Sequence, residues 1–222
     1  MGPGAHARRI GSGWLVAAAT ALVLLGGAIV PFLNPIYVRF EQDRTGATAL
    51  TGYSAAQLDQ VTGSILGDLV LWRGDFGVTV DGTPVLKAQE VDHMVDVRSV
   101  FAGFFALVLA AAAVPLVAFR RARGRAARTA TWRAVAGGAR GLAIGIAVVS
   151  AFTLLAFDAA FEVFHRLFFS AGSYTFDPRT DKLVQLFPVA FWSETAIFVG
   201  AVVLVAAIAT WWLARRRGIA SA

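Results

Sequence analysis

Four apolar runs divide the chain, at 13–33, 100–119, 138–157 and 191–213. Each is close to the roughly 20 residues a helix needs to cross a bilayer core. Between the first and second runs the pattern changes period. Ser54-Ala55-Ala56-Gln57 has the spacing of a capping box, and Leu58, Val61, Ile65, Leu66 and Leu69 follow on one helical face. Arg73-Gly74-Asp75 ends that helix. Phe76-Gly77-Val78-Thr79-Val80 then reads as a short strand, and Asp81-Gly82 as a hairpin turn before Pro84-Val85-Leu86. From Lys87 to Arg98 the helical period returns and is predicted to continue into the second run. Beyond the third run, FDAAFEVFHRLFFSAGSYTFDP extends the helix to His165, with Asp158, Glu162 and His165 at i, i+4 and i+7 on one face. Ser170–Ser173 breaks it, and Asp177-Pro178-Arg179-Thr180-Asp181 has the composition of a turn. Leu183, Val184, Leu186 and Phe187 form a short apolar stretch ended by Pro188, expected to lie in the membrane interface.

These patterns predict an all-α membrane protein with four transmembrane helices and a small extracytoplasmic α/β cap. The expected segments are a tail at 1–12, spans at 13–33, 98–119, 138–161 and 191–213, and a tail at 214–222. The connections are a cap at 34–97, an Arg-rich loop at 120–137 and a second outer loop at 162–190. The first run could pass for a signal peptide, but no small-residue cleavage site follows it and two prolines close it, so an uncleaved anchor is expected. Arg8-Arg9 is a poor match to a twin-arginine export signal.

Composition agrees: 57% of the 222 residues are hydrophobic and only 15% charged, against about 25% in an ordinary soluble domain. The charge is segregated. All fourteen acidic residues lie at 41–96, 158–162, 177–181 and 194, whereas twelve of the twenty basic residues lie at 8–9, 120–140 and 215–217. By the positive-inside rule both termini and the Arg-rich loop are cytoplasmic, and 34–97 and 162–190 face outward. That distribution is a topology signal, not a nucleic-acid footprint. With no cysteine in the chain, disulfides, thiolate metal sites and a thiol nucleophile are excluded. The near absence of polar residues deep in the spans argues against an ion path.

Candidate chemistry is concentrated at the outer ends of the second and third spans. Of three histidines, His6 lies in the tail, His93 where the cap enters the second span, and His165 where the third span emerges. Asp96 lies at i+3 from His93 and Glu162 at i−3 from His165. A carboxylate beside an imidazole fixes its tautomer and raises its basicity, as a general base requires. The plain alternative is interfacial histidines with helix-capping acids. A mononuclear metal site from His93, His165 and one carboxylate is a second alternative, since Glu162-Val163-Phe164-His165 is an E-x-x-H sequence. That would suit a metal-dependent lipid hydrolase. A third is a non-catalytic accessory protein that binds a partner through its cap. No G-x-S-x-G elbow accompanies Ser170, Ser173 or Ser193, and no phosphate loop is present. Phe161, Phe168, Phe169, Tyr174, Phe176 and Trp192 suit either an interfacial belt or the walls of an acyl-chain pocket.

Several of these stretches, taken in order, resemble the lipoprotein intramolecular transacylases, small four-span bacterial membrane proteins. They are His93-Met94-Val95-Asp96-Val97, Phe164-His165-Arg166-Leu167-Phe168-Phe169, Phe176-Asp177-Pro178 with Asp181, and Leu186-Phe187-Pro188 with Phe191. The first and second spans and the Arg-rich loop carry no motif of the family. The resemblance implies an enzyme of the bacterial cytoplasmic membrane whose partners are a diacylated lipoprotein and membrane lipids. It would move the sn-2 acyl chain of the diacylglyceryl cysteine to its α-amine, giving an N-acyl lyso-lipoprotein, with no cofactor or metal. By motif, His93 and His165 would be catalytic, His165 as base and His93 as acid. Asp96, Glu162 and Asp158 would orient them, and Arg98 or Arg166 could activate the carbonyl.

Overall fold

The structure is a computed structural model that describes the backbone of residues 3–220 and the side chains of residues 13–219. The side chains of the N-terminal tail, His6, Arg8 and Arg9 among them, lie outside the described residues. In chain order the elements are α1 (Pro3–Ile29), a 3-10 turn (Val30–Phe32), α2 (Pro35–Thr45), α3 (Ala47–Thr51) and α4 (Ala55–Leu71). They continue with β1 (Thr79–Val80), β2 (Thr83–Pro84), α5 (Ala88–Arg121), α6 (Arg125–Leu155), α7 (Phe157–Phe168), α8 (Lys182–Leu186) and α9 (Val189–Ala220). Among the described residues, four helical stretches are long and apolar enough to cross a membrane: Gly13–Phe32, Ala88–Arg121, Arg125–Leu155 and Val189–Ile219. The 34 residues of α5 make a rod of about 50 Å, well over the ~30 Å of a hydrocarbon core. Its first three turns, which carry Glu90, Asp92, His93, Asp96 and Arg98, therefore precede its apolar run.

The chain forms two compact units. The first comprises Met1–Ile29, Phe104–Ala151 and Val199–Ala222. Small residues let its helices approach closely, as membrane helix pairs require. A Cβ on Gly138 of α6 would sit 2.1 Å from the Ala17 carbonyl oxygen of α1, and one on Gly26 would sit 2.6 Å from Val108. Val16, Val135, Ala136 and Ala214 form its buried cluster, with Phe119, Trp132 and Trp211 against it.

The second unit comprises Val30–Gly103 and Phe152–Phe198. Its core joins Leu58, Val61 and Ile65 of α4 to Phe76, Val78, Val80, Val85, Leu86 and Met94. The capping box at Ser54 forms as the sequence predicts, Ser54 Oγ accepting from Gln57 N and Gln57 Oε1 from Ser54 N. The hairpin also forms, with Thr79 opposite Pro84 and with Asp81 and Gly82 both at positive φ. Its strands are shorter than expected. Phe76 is itself left-handed (φ 61°) and fully buried, its N–H donating to Asp68 Oδ2 at 2.8 Å, so the chain bends there and extends only from Thr79.

Four features depart from the sequence reading. Asn34-Pro35 opens an unforeseen helix, α2: Asn34 Oδ1 accepts from Ile36 N and Tyr37 N at 2.9 and 3.1 Å, and Pro35 fills the first turn where no N–H is needed. The Arg-rich segment is almost wholly helical, because arginine and alanine favour the helix, and only 122–124 separate α5 from α6. The third span does not run through to His165. It stops at Leu155, Ala156 takes a non-helical conformation (φ −149°, ψ 56°), and α7 starts afresh. Finally, Leu183 and Leu186 are buried in the cap core, so these apolar side chains of α8 pack on protein and are not free to face lipid.

Candidate active site

The break at Ala156 frees α7 to be strongly amphipathic, and His165 is the one residue of that helix to be buried. On α5, His93 and Met94 are buried among exposed or half-buried neighbours. The two imidazoles meet face to face, with centroids 6.0 Å apart and planes inclined by 21°. Phe169 touches both, 4.8 Å from His93 and 5.5 Å from His165. Phe176 lies 5.4 Å from His93, and Phe161 and Tyr174 lie 4.1 and 5.0 Å from His165. Trp192 stands one ring further out, 6.5 Å from Phe161. Phe168, half exposed, packs 4.9 Å from Phe164, which is itself 5.4 Å from His165 and stands beside it in the motif read from the sequence.

The carboxylates are not where helical spacing suggested. His165 Nδ1 lies 2.8 Å from the carbonyl oxygen of Phe161, one turn back on its own helix. A carbonyl can only accept, so Nδ1 carries a proton, and the tautomer this selects has its lone pair on Nε2. His93 Nδ1 is buried with no hydrogen-bond partner. Glu162 turns away from the imidazole: its Oε1 accepts from Arg166 Nε at 2.7 Å and from the Tyr174 hydroxyl at 3.4 Å. Asp96 and Asp158 are exposed. Arg98 is buried and engaged elsewhere. It donates from Nη1 to Gly74 O at 2.7 Å and from Nη2 to Asp75 at 3.0 Å, with its guanidinium 4.5 Å over Trp72 and 5.2 Å over Phe76.

Glu90 ties the helix that carries His93 to α8, and its role was not read from the sequence. It is fully buried and accepts from Lys87 N at 2.7 Å and from Leu183 N at 2.6 Å, fixing the first turn of α5 to α8. Glu90-Val91-Asp92-His93 is a second E-x-x-H sequence, one turn ahead of the buried histidine, and could have signalled it. Its carboxylate is committed to backbone amides. Among the described residues no three or more His, Asp or Glu side chains come together as a metal-ligand set. The turn after α7 is held by Asp181, which accepts from Asp177 N at 2.7 Å and pairs with Lys87. The Lys87 ammonium, followed by that backbone bond, holds the Asp181 carboxyl below the ordinary range. Gln89 Nε2 donates to Gly172 O at 3.1 Å, tying α5 to the same segment. A cleft of about 440 Å³, lined by Glu162, Arg166, Phe169, Gly172, Tyr174 and Thr175 among others, shares two aromatic walls with the imidazole pair.

The chain is similar to known proteins over most of its length. The family model described as "Lipoprotein intramolecular transacylase Lit" matches residues 14–192. Among solved structures, the membrane integral lipoprotein intramolecular transacylase Lit from Bacillus cereus superposes with a TM-score of 0.77 at 16% identity, covering 96% of each chain. A variant of that protein with a histidine replaced by arginine gives 0.74 at 15% identity, covering 96% of this chain and 92% of the other. One with a histidine replaced by alanine gives 0.71 at 16%, covering 95% and 94%. No curated protein matches the sequence.

Proposed function

Because the chain belongs to the lipoprotein intramolecular transacylase family, we propose that it moves an acyl chain from one position to another within a single lipidated substrate. Membership makes it a membrane-integral lipoprotein acyltransferase. The finer reading is that the sn-2 ester of a diacylglyceryl-modified N-terminal cysteine is the donor and the α-amine of the same cysteine the acceptor. The amine nitrogen attacks the ester carbonyl, and His165 Nε2 takes the proton that nitrogen loses. The tetrahedral adduct collapses by breaking the bond to the glyceryl oxygen. That oxygen leaves with a proton from an imidazolium, and an amide and a free glyceryl hydroxyl remain. Proton count and bonds balance without an acyl-enzyme or any further reactant.

The observation that carries this reading is the imidazole pair itself: two buried rings 6.0 Å apart, one of them held to the Phe161 carbonyl so that Nε2 is available as a base. His93, stacked on it, supplies a second group able to exchange a proton with the leaving oxygen. Because donor and acceptor share one molecule, the aromatic walls serve to fold the substrate into attack geometry, a proximity effect that needs no nucleophile from the protein. We place this site on the extracytoplasmic side, with both termini in the cytoplasm.

The test is mass spectrometry of a lipoprotein co-expressed with this protein in a host that has no other N-acylation. One acyl chain is expected to leave the glyceryl group and reappear on the amine. Replacing His165 or His93 by Asn is expected to lower the rate about 10²–10⁴-fold, with the protein still folded and inserted. An unchanged lipoprotein mass with wild-type protein, or full activity in both variants, overturns the proposal and favours a non-catalytic partner of lipoproteins.

A further inference from the structure

Resting on the transacylation proposed above, we infer that the Glu162 carboxylate is the receptor for the substrate's α-ammonium. A free α-amine has an ordinary pKa of about 7.7–8.0, so at neutral pH the incoming nucleophile arrives mostly as a cation. It must be held by a group that favours its charge, then lose one proton to water before attack and a second to His165 as the bond to the carbonyl carbon forms. Two aromatic-walled imidazoles provide no anion for that first step.

Glu162 provides one in the right place. It lies one helical turn before His165, and residues three apart share a face of the helix. It lines the 440 Å³ cleft, whose walls Phe169 and Tyr174 also pack against the His165 ring, at 5.5 and 5.0 Å. Its two hydrogen bonds, from Arg166 Nε and the Tyr174 hydroxyl, both go to Oε1. They fix the carboxylate and leave Oε2 for a third donor. The Glu162 side chain is 45% exposed, so an entering ammonium need not displace a buried partner. The neighbouring acids are unsuited to the role. Asp177 and Asp181 are ion-paired, as Glu162 is with Arg166, but their carboxylates also accept backbone N–H groups of their own turn and neither lines the cleft. Asp158 and Asp96 do not line the cleft. Tyr174 connects the two halves of the site, with its hydroxyl on Glu162 and its ring on His165.

The decisive probes are two unreactive substrate analogues. One is a dialkyl-ether lipopeptide with a free N-terminal amine, and the other is the same molecule N-acetylated. Neither has an ester, so binding is read alone, on the full-length protein in detergent micelles. A charge-assisted contact of this kind predicts that wild-type protein binds the free amine about tenfold or more tighter than its acetylated twin. In Glu162→Gln that ratio is expected to fall to about 1, and for the reactive ester substrate KM should rise far more than kcat falls. Because the ratio compares two ligands on one protein, a partly unfolded variant does not distort it. Should the Gln variant not fold at all, Glu162→Asp keeps the charge but retracts it, and should weaken the amine analogue while leaving the acetylated one unaffected. A ratio that survives Glu162→Gln, or one already near 1 in wild type, sinks this inference. Failure of wild-type protein to form any N-acyl product sinks the transacylation reading, and the two results are separately visible.

Discussion

Glu41 is the residue whose surroundings fit its charge least. It is fully buried on α2, and neither carboxylate oxygen has a hydrogen-bond donor. The side chain that acts on it most is another acid, Glu194, which Arg44 holds through two bonds of 2.9 and 2.8 Å. Two carboxylates cannot bond one another, but a carboxylic acid and a carboxylate can. Burial first, and then the Glu194 carboxyl, push Glu41 up from an ordinary 4.5 to about 7, with Arg44 pulling the other way. The folded protein therefore binds a proton here that the unfolded chain releases. Its contribution to stability is fully present below about pH 4.5 and is lost as pH rises through about 7. Glu41→Gln keeps the neutral shape and should melt a few degrees above wild type at pH 8, the two converging toward pH 4.5. An unchanged difference in Tm across that range would show that Glu41 does not titrate in the fold. At this scale the sequence was partly legible. His93 and His165 were visible from their places at span ends, but the Phe161 carbonyl that fixes His165 could not be seen, since every helical residue has the same carbonyl.

At the scale of elements, hydropathy was enough to locate the spans and the capping box enough to start α4. What it could not locate was the end of α6. Leu154, Leu155, Ala156 and Phe157 are apolar on every side, so no change of period marks the break that turns α7 and aims His165. The packing of α8 was hidden for a related reason: a short apolar run looks the same whether it docks on a membrane or in a core. The loop after α4 was legible only as a breaker, Arg73-Gly74-Asp75, and its anchor lies 24 residues on in Arg98. That guanidinium is buried, bonded to a carbonyl and stacked on Trp72 and Phe76. Removing it takes the donor from the Gly74 carbonyl and the cation from the Trp72 and Phe76 rings, and so frees that loop from the helix that carries His93. Arg98→Ala is expected to cost about 2–4 kcal/mol in thermal or denaturant unfolding. Asp75→Ala should cost under ~1 kcal/mol, because the Asp75 side chain is 86% exposed and Gly74 O remains. Equal losses in the two variants would mean that the ion pair, and not the carbonyl and ring contacts, fixes the loop.

For the whole molecule, the question left to experiment is sidedness, and it follows from charge alone. The three windows that hold twelve arginines alternate along the chain with the two segments that hold the cap and the histidines. Each Lys or Arg near an anionic cytoplasmic surface is worth on the order of 1 kcal/mol, so the inverted orientation would forfeit many such contacts at once. The absence of native cysteine makes the prediction simple to read, because any single introduced thiol is the only one present. Ala49→Cys on α3 and Thr180→Cys after α7 are exposed positions in the histidine-bearing unit, and Arg123→Cys lies between α5 and α6. In intact cells a membrane-impermeant maleimide should label the first two and leave the third unmodified until the membrane is opened. The reverse pattern would put the imidazole pair on the cytoplasmic face. His93 and His165 would then meet only lipid-linked amines of that leaflet, and the substrate proposed for them would have to be presented from inside.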